Sequence, residues 1–204
     1  MLFRSLFTEL QSSNRELTTA LDKQTATADI LRVISRSYTD LGAVFQAIVD
    51  SAKRLLRGNS SVISRIVDDR IELAAYTRMD AAGDALLESF FPIPLGSDGR
   101  DVRPIRDRVI GGREPYNVAD VETDGRVGER GRANARARGY RSQLVVPMVR
   151  DDDVVGTVAV TRPQPGAFAE DEIALLQTFA DQADRKSTRL NSSHIQKSRM
   201  PSSA

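Results

Sequence analysis

From Phe3 to Leu31, apolar residues recur at alternating spacings of four and three: Phe3, Phe7, Leu10, Leu17, Leu21, Ala28 and Leu31, with Asn14 and Gln24 in the two remaining places. Neither Pro nor Gly interrupts the chain before Gly42. This heptad rhythm predicts a long coiled-coil-type helix over residues 1–38. Asn14 within the seam favours a parallel, in-register homodimer, because two buried amides satisfy each other only when aligned. The competing reading is one amphipathic helix packed on its own domain.

The rhythm restarts near Thr39 and Asp40, either of which can cap a helix carrying Leu41, Val44, Phe45, Ile48, Val49, Ala52, Leu55 and Leu56 on one stripe, with Gly58 as its stop. Strand-like runs follow at Val62–Val67 and Ile71–Tyr76, joined across Asp68, Asp69 and Arg70. Met79 to Ser89 predicts a short helix, and Phe91 to Leu95 an extended turn into the core. Asp101 is placed to cap a helix with Pro104 in its first turn and with Ile105, Val109 and Ile110 facing inward. Pro115–Val118 reads as a strand and Glu129–Arg138 as an Arg-rich helix closed by Gly139. The strongest strand pair is Leu144–Val149 with Val154–Val160, turning at Asp151 to Asp153 and expected at the centre of the sheet. Pro147 lacks an N–H, so it must face a bulge or an unpaired position. The last helix begins after Phe168, with Glu170, Asp171 and Glu172 suiting its dipole and Leu175, Leu176, Phe179, Ala180 and Ala183 forming its apolar face. This order predicts an α+β fold, an antiparallel sheet with the end helices on one face and loops on the other.

Composition narrows the chemistry. The chain has 204 residues, 40% of them hydrophobic, enough for one core of ordinary size. No stretch approaches the roughly 18–20 continuous apolar residues of a membrane span, and a cytoplasmic setting is the default expectation. The formal net charge is +1, but Arg185 to Ala204 holds Arg185, Lys186, Arg189, Lys197 and Arg199 and no acid. The remaining body is therefore mildly acidic, which argues against a nucleic-acid binder.

Residues Ala26 to Ser35, Thr39-Asp40-Leu41 with Val44-Phe45 and Ala47-Ile48, then Val145-Val146-Pro147, Val155-Gly156 and Phe168 to Ala183 together resemble the GAF domains of bacterial multi-domain sensor histidine kinases. The resemblance covers roughly Leu17 to Ala183. It implies a GAF/PAS-like sheet over residues 39–184, a non-catalytic sensory role, and a downstream kinase or other output domain, a nucleotide cyclase or a transcriptional activator being the alternatives. Leu6 to Gln11 also looks like the helix that leaves one such domain for the next, so Met1 reads as an internal start. Beyond Asp184 the family's apolar helix gives way to a Ser-rich basic stretch, and residues 185–204 read as a non-native or disordered tail.

The family's known chemistries find no anchor in this sequence. There is no cysteine for a bilin thioether or for the thiolates of the GAF-like free methionine sulfoxide reductases, and the one histidine, His194, lies in the tail rather than where a haem would need it. The Asn-Lys, Phe and Asp-Glu signature of cyclic-nucleotide-binding relatives is not traceable, and no phosphate-cradling loop appears. Neither a cofactor nor an enzymatic activity is expected. Asp151 to Asp153 lack the alternating spacing of a calcium loop and read as a hairpin turn. By analogy with the family's face opposite the end helices, Phe91, Ile105, Val109, Tyr116, Val118, Asp120, Val121 and Tyr140 are candidate pocket walls, with ordinary core as the alternative. Around Tyr140, Arg126, Arg130, Arg132, Arg136, Arg138 and Arg141 form a candidate anion or acidic-partner patch, with a solvated helix face as the alternative.

Overall fold

The computed structural model describes residues 41–198, with side chains through Arg185. The predicted helix of residues 1–38 and its seam therefore lie outside the described residues. Helix α1 (Leu41–Leu55) buries Val44, Phe45, Ile48, Val49 and Ala52, the stripe its spacing predicts. Strands β1 (Ser60–Val67) and β2 (Arg70–Tyr76) follow, then α2 (Ala81–Ser89), the short β3 (Ile93–Pro94) and a π-helical segment, Ile105–Gly111. After β4 (Tyr116–Val118) and α3 (Glu129–Ala137) come β5 (Ser142–Arg150), β6 (Asp153–Arg162) and α4 (Glu170–Ser198).

The six strands form one sheet in the order β3-β2-β1-β6-β5-β4, and every pairing is antiparallel. Both tight hairpins turn on paired aspartates in left-handed backbone, Asp68 and Asp69 at φ 46 and 61, Asp151 and Asp152 at φ 46 and 71. Two successive left-handed residues match the twist of the flanking strands, and Asp tolerates the conformation better than most side chains. β5 and β6 lie inside the sheet, as their apolar runs predict. Pro147 sits beyond the last residue that β4 pairs, Val145, and next to a register shift between Met148 and Val149.

One face of the sheet is sealed by α1 and α4. Ile63, Leu144, Val146, Met148, Val158 and Val160 meet Val44, Ile48 and Val49 of α1 and Leu176, Phe179 and Ala183 of α4 in one buried cluster. Arg162 clamps the two helices together. Its guanidinium donates to the Leu56 carbonyl at 2.6 Å and to Glu172 at 2.5 Å, 4.1 Å above the Phe168 ring. The Asn117 side chain holds the Phe168 backbone at both its N–H and C=O, tying β4 to the start of α4.

Helix α4 continues through Ser198. No Gly or Pro occurs between Glu170 and Met200, and Ser, Asn and Lys lower helix propensity by only tenths of a kcal/mol each. Asp101 does not cap its own helix. Its carboxylate accepts the Gly131 N–H at 2.9 Å and so caps α3 from outside, while Gly128 at the helix N-cap has no side chain to do so. A Cβ on Gly128 or Gly131 would lie 2.5 or 2.7 Å from that carboxylate, so the cap needs glycine at both places.

A candidate ligand pocket between the sheet and helix α3

The opposite face of the sheet is not sealed in the same way. A bulge turns part of β2 toward it: Ile63 pairs with Ala75 but Ser64 with Leu73, so Ala75 joins the helix-side core while Ile71 faces the other side. At the centre, β1 and β6 present Ser60 opposite Thr161, Val62 opposite Ala159, and Ser64 opposite Thr157. The outer two pairs are hydroxyl couples, each 2.8 Å apart. They satisfy each other within the sheet and leave an apolar strip between them.

Above this floor is a cavity of about 200 Å³. Leu87 and Phe90 at the end of α2, together with Phe91 and Ile93, form one wall, and Val102 and Ile105 another. The roof is α3 and the loop before it, contributing Arg126, Val127, Arg130, Asn134, Arg138 and Tyr140. Few apolar residues hold α3 down: Ala135 and Val127 pack into a second buried cluster with Val109, Tyr116, Val118, Val121, Tyr140 and Val145. Capping by Asp101 and a set of ion pairs supply the rest.

The arginines divide by partner. Arg138 is 1% exposed, with its guanidinium on Asp84 at 2.6 Å and on the Thr77 carbonyl at 2.8 Å. Its own carbonyl accepts from Asn59 at 2.7 Å, which links the roof to the segment just after α1. Arg126 forks onto Asp124 and lies 4.9 Å over the Tyr116 ring. Arg136 bonds Glu122 and Glu129, Arg141 bonds Asp120, and Arg132 lies within 3.9 Å of Glu129. These guanidiniums hold Asp124, Glu122 and Asp120 below the usual carboxylate range. Arg130 differs. It stacks 4.8 Å over the Phe90 ring at the cavity's edge and has no carboxylate partner among the described residues.

Of the candidate walls, Phe91, Ile105, Tyr116 and Tyr140 line the cavity. Val109, Val118 and Val121 are buried in the adjoining cluster instead, and Asp120 is turned to Arg141. Of the arginine patch, only Arg130 and Arg138, with Arg126, reach the cavity. Five of the six are engaged by carboxylates of this chain, and a linear run cannot reveal partners that the fold brings from Asp84 or Glu122.

Two polar atoms at the cavity have no partner among the described residues. The Tyr116 hydroxyl and Asn134 Oδ1 are buried and unbonded, although Asn134 Nδ2 donates to the Tyr140 hydroxyl at 3.1 Å. Burial pushes both phenols up to about 12, with the nearby Asp124 carboxylate adding to the shift of Tyr116, so both stay neutral at ordinary pH.

The residues missed in the sequence are the floor, the wall residues Leu87, Phe90, Ile93 and Val102, and Val127 and Asn134 of the roof. A signal for the floor existed, since Ser60-Ser61-Val62-Ile63-Ser64 and Thr157-Val158-Ala159-Val160-Thr161 share one alternation of hydroxyl and apolar positions.

The family model of the GAF domain matches residues 40–185, spanning the sheet, α1, the first half of α4 and the whole pocket. The chain belongs to the GAF domain family. Solved GAF domains share its fold at low identity. That of a phosphoenolpyruvate-protein phosphotransferase from Coxiella burnetii aligns with a TM-score of 0.69 at 16% identity, over 86% of this chain and 98% of the other. The free methionine-R-sulfoxide reductase of Neisseria meningitidis, solved with its substrate, aligns at 0.65 and 17%, over 86% and 93%. A domain of a putative two-component sensor histidine kinase from Sinorhizobium meliloti 1021 aligns at 0.59 and 16%, over 76% and 94%. No curated protein matches the chain. The GAF fold thus recurs in neighbours of different activity, and identities this low carry the fold alone. No described helix is long and apolar enough to cross a membrane.

Proposed function

We propose that this GAF domain is a non-catalytic regulatory module of a cytoplasmic signalling protein, a sensor histidine kinase, in which occupancy of the pocket biases the arrangement of paired flanking helices. The observation that carries this reading is the cavity of about 200 Å³ whose buried Tyr116 hydroxyl and Asn134 Oδ1 lack partners. Unsatisfied buried polar atoms are costly, and a ligand or water that meets them recovers the loss. Transmission has a physical route. The roof residue Arg138 is bonded through its carbonyl to Asn59, just beyond α1, and through its guanidinium to Asp84 of α2. A ligand that binds one position of α3 more tightly than another therefore shifts the segments joined to it, by as much as that difference in affinity.

The non-catalytic reading rests on the character of the lining. Two phenols held neutral, an amide, hydroxyls bonded to each other across β1 and β6, a carboxylate bonded to the Gly131 N–H and three guanidiniums, two of them paired with carboxylates, do not set a base beside a nucleophile. The pocket is also far smaller than a tetrapyrrole, in keeping with a small-molecule ligand. A ligand-free dimerisation scaffold is the rival. Native mass spectrometry of the chain as purified separates the two: a co-purifying small molecule supports the sensor, whereas an empty chain that no metabolite library stabilises leaves the scaffold. For the paired helices, sedimentation of the chain should show a dimer, and a monomer at high concentration removes that part of the proposal.

A further inference from the structure

Resting on that reading of the cavity, we propose the ligand's chemical class: a compact monoanion with one ring-sized apolar body, its charge at Arg130 and a neutral hydrogen-bonding group reaching Tyr116 and Asn134.

Size sets the first limit. A dry cavity of about 150 Å³ accepts benzene, so about 200 Å³ accommodates one ring or branched aliphatic unit with a small polar group at each end. The apolar body has matching surroundings in the Val62–Ala159 strip below and in Leu87, Phe91 and Ile105 at the sides.

Charge sets the second. The cavity is lined by Arg126, Arg130, Arg138 and Asp101. Arg126 and Arg138 are neutralised by Asp124 and Asp84. Asp101 is bonded to Gly131 N–H at the start of α3, where the partial positive charge of the helix end offsets part of its own. That leaves Arg130, exposed at the rim, stacked on Phe90 and without a carboxylate partner among the described residues. A guanidinium fixed by stacking keeps its N–H edge free for a carboxylate.

The orphan atoms set the third. The Tyr116 hydroxyl can donate or accept, whereas Asn134 Oδ1 can only accept, so a ligand hydroxyl, which both donates and accepts, matches either atom. The resulting pose is amphipathic: anion at the rim, ring across the apolar strip, neutral hydroxyl toward Tyr116 or Asn134.

Calorimetric titration of the full chain with three probes of one shape tests this assignment: 4-hydroxyphenylacetate, its neutral amide, and the cation tyramine. The acid should bind about ten-fold more tightly than the amide, the low end of the range for a charge-assisted hydrogen bond, as befits an exposed arginine. Tyramine should bind weakest. Arg130→Gln should abolish the preference for acid over amide at the cost of only a few degrees of melting temperature, since an exposed cation–π contact is worth about 0.5–1 kcal/mol, and Arg136→Gln, paired away from the cavity, should retain it. Tyr116→Phe should weaken 4-hydroxyphenylacetate but not phenylacetate. Amide or tyramine binding as tightly as the acid overturns the anion assignment while leaving the cavity a ligand site. Failure of all three to bind also overturns the assignment, and the native mass measurement then decides independently whether the cavity is a ligand site at all.

Discussion

The two faces of one sheet are built to opposite standards. On the helix side, side chains from β1, β5 and β6 interdigitate with α1 and α4, and residues such as Ile48, Leu144, Val158 and Phe179 have lost essentially all contact with water. On the other side, the same strands turn Ser60, Ser64, Thr157 and Thr161 toward a cavity, and the covering helix α3 is fastened by ion pairs, a borrowed cap and little apolar surface. A dry face holds the domain together, because tight packing leaves little room for rearrangement. A face closed by polar contacts can open and reclose, because those contacts exchange with water at modest net cost.

Breaking the dry face should have the largest effect. Phe179→Ala removes a fully buried ring and is expected to lower stability by about 3–5 kcal/mol in denaturant unfolding. If the faces are independent, probe affinity at the cavity should survive in whatever fraction remains folded. Next comes Arg138→Met, which leaves the Asp84 carboxylate without its guanidinium and should cost about 3 kcal/mol. This substitution ought to cross the divide: stability falls and ligand affinity falls with it, because Arg138 braces both the roof and the segment after α1.

Acid should act mainly on the polar face. Asp124, Glu122 and Asp120 are held below their ordinary values by Arg126, Arg136 and Arg141. Groups whose folded value is depressed contribute stability above their unfolded value of about 4, and lose it as pH falls through the folded value. Melting temperature should therefore change little from pH 7 to 5 and decline below about 4, and Asp124→Asn should make that decline shallower. Glu172, held down by Arg162 between the end helices, adds to the same decline from the dry side. The smallest effect belongs to Tyr116→Phe. Removing a buried hydroxyl with no partner should leave the unliganded domain as stable, or more stable by up to about 1 kcal/mol. A clear loss of stability would mean that the hydroxyl is satisfied in the empty domain, and would weaken the case for a ligand there.

Much of the dry face was legible beforehand. The α1 stripe, the apolar face of α4 and the two aspartate turns follow from spacing and turn chemistry, because a residue's place on a helix or strand depends on its neighbours in sequence. The pocket was legible only in part. Phe91, Ile105, Tyr116 and Tyr140 reach it, while Val109, Val118 and Val121 have the same apolar character and lie in the cluster beside it. Asp101 looked like the cap of its own helix because its partner, Gly131, is thirty residues away.

By itself, the amino-acid order determined which segments form helices and strands, which side of each is apolar, and that no cysteine is available for covalent chemistry. Tertiary structure decided the rest. It buried Arg138 and left Arg130 at the rim, although the two lie on the same short arginine-rich stretch, because only folding brings Asp84 to one and Phe90 to the other. It also joined the hydroxyls of β1 to those of β6, across about a hundred residues of chain. Local rules act over a turn of helix or a hairpin. The charge, size and open hydrogen bonds of the cavity are sums over residues distant in sequence, and no local rule contains them.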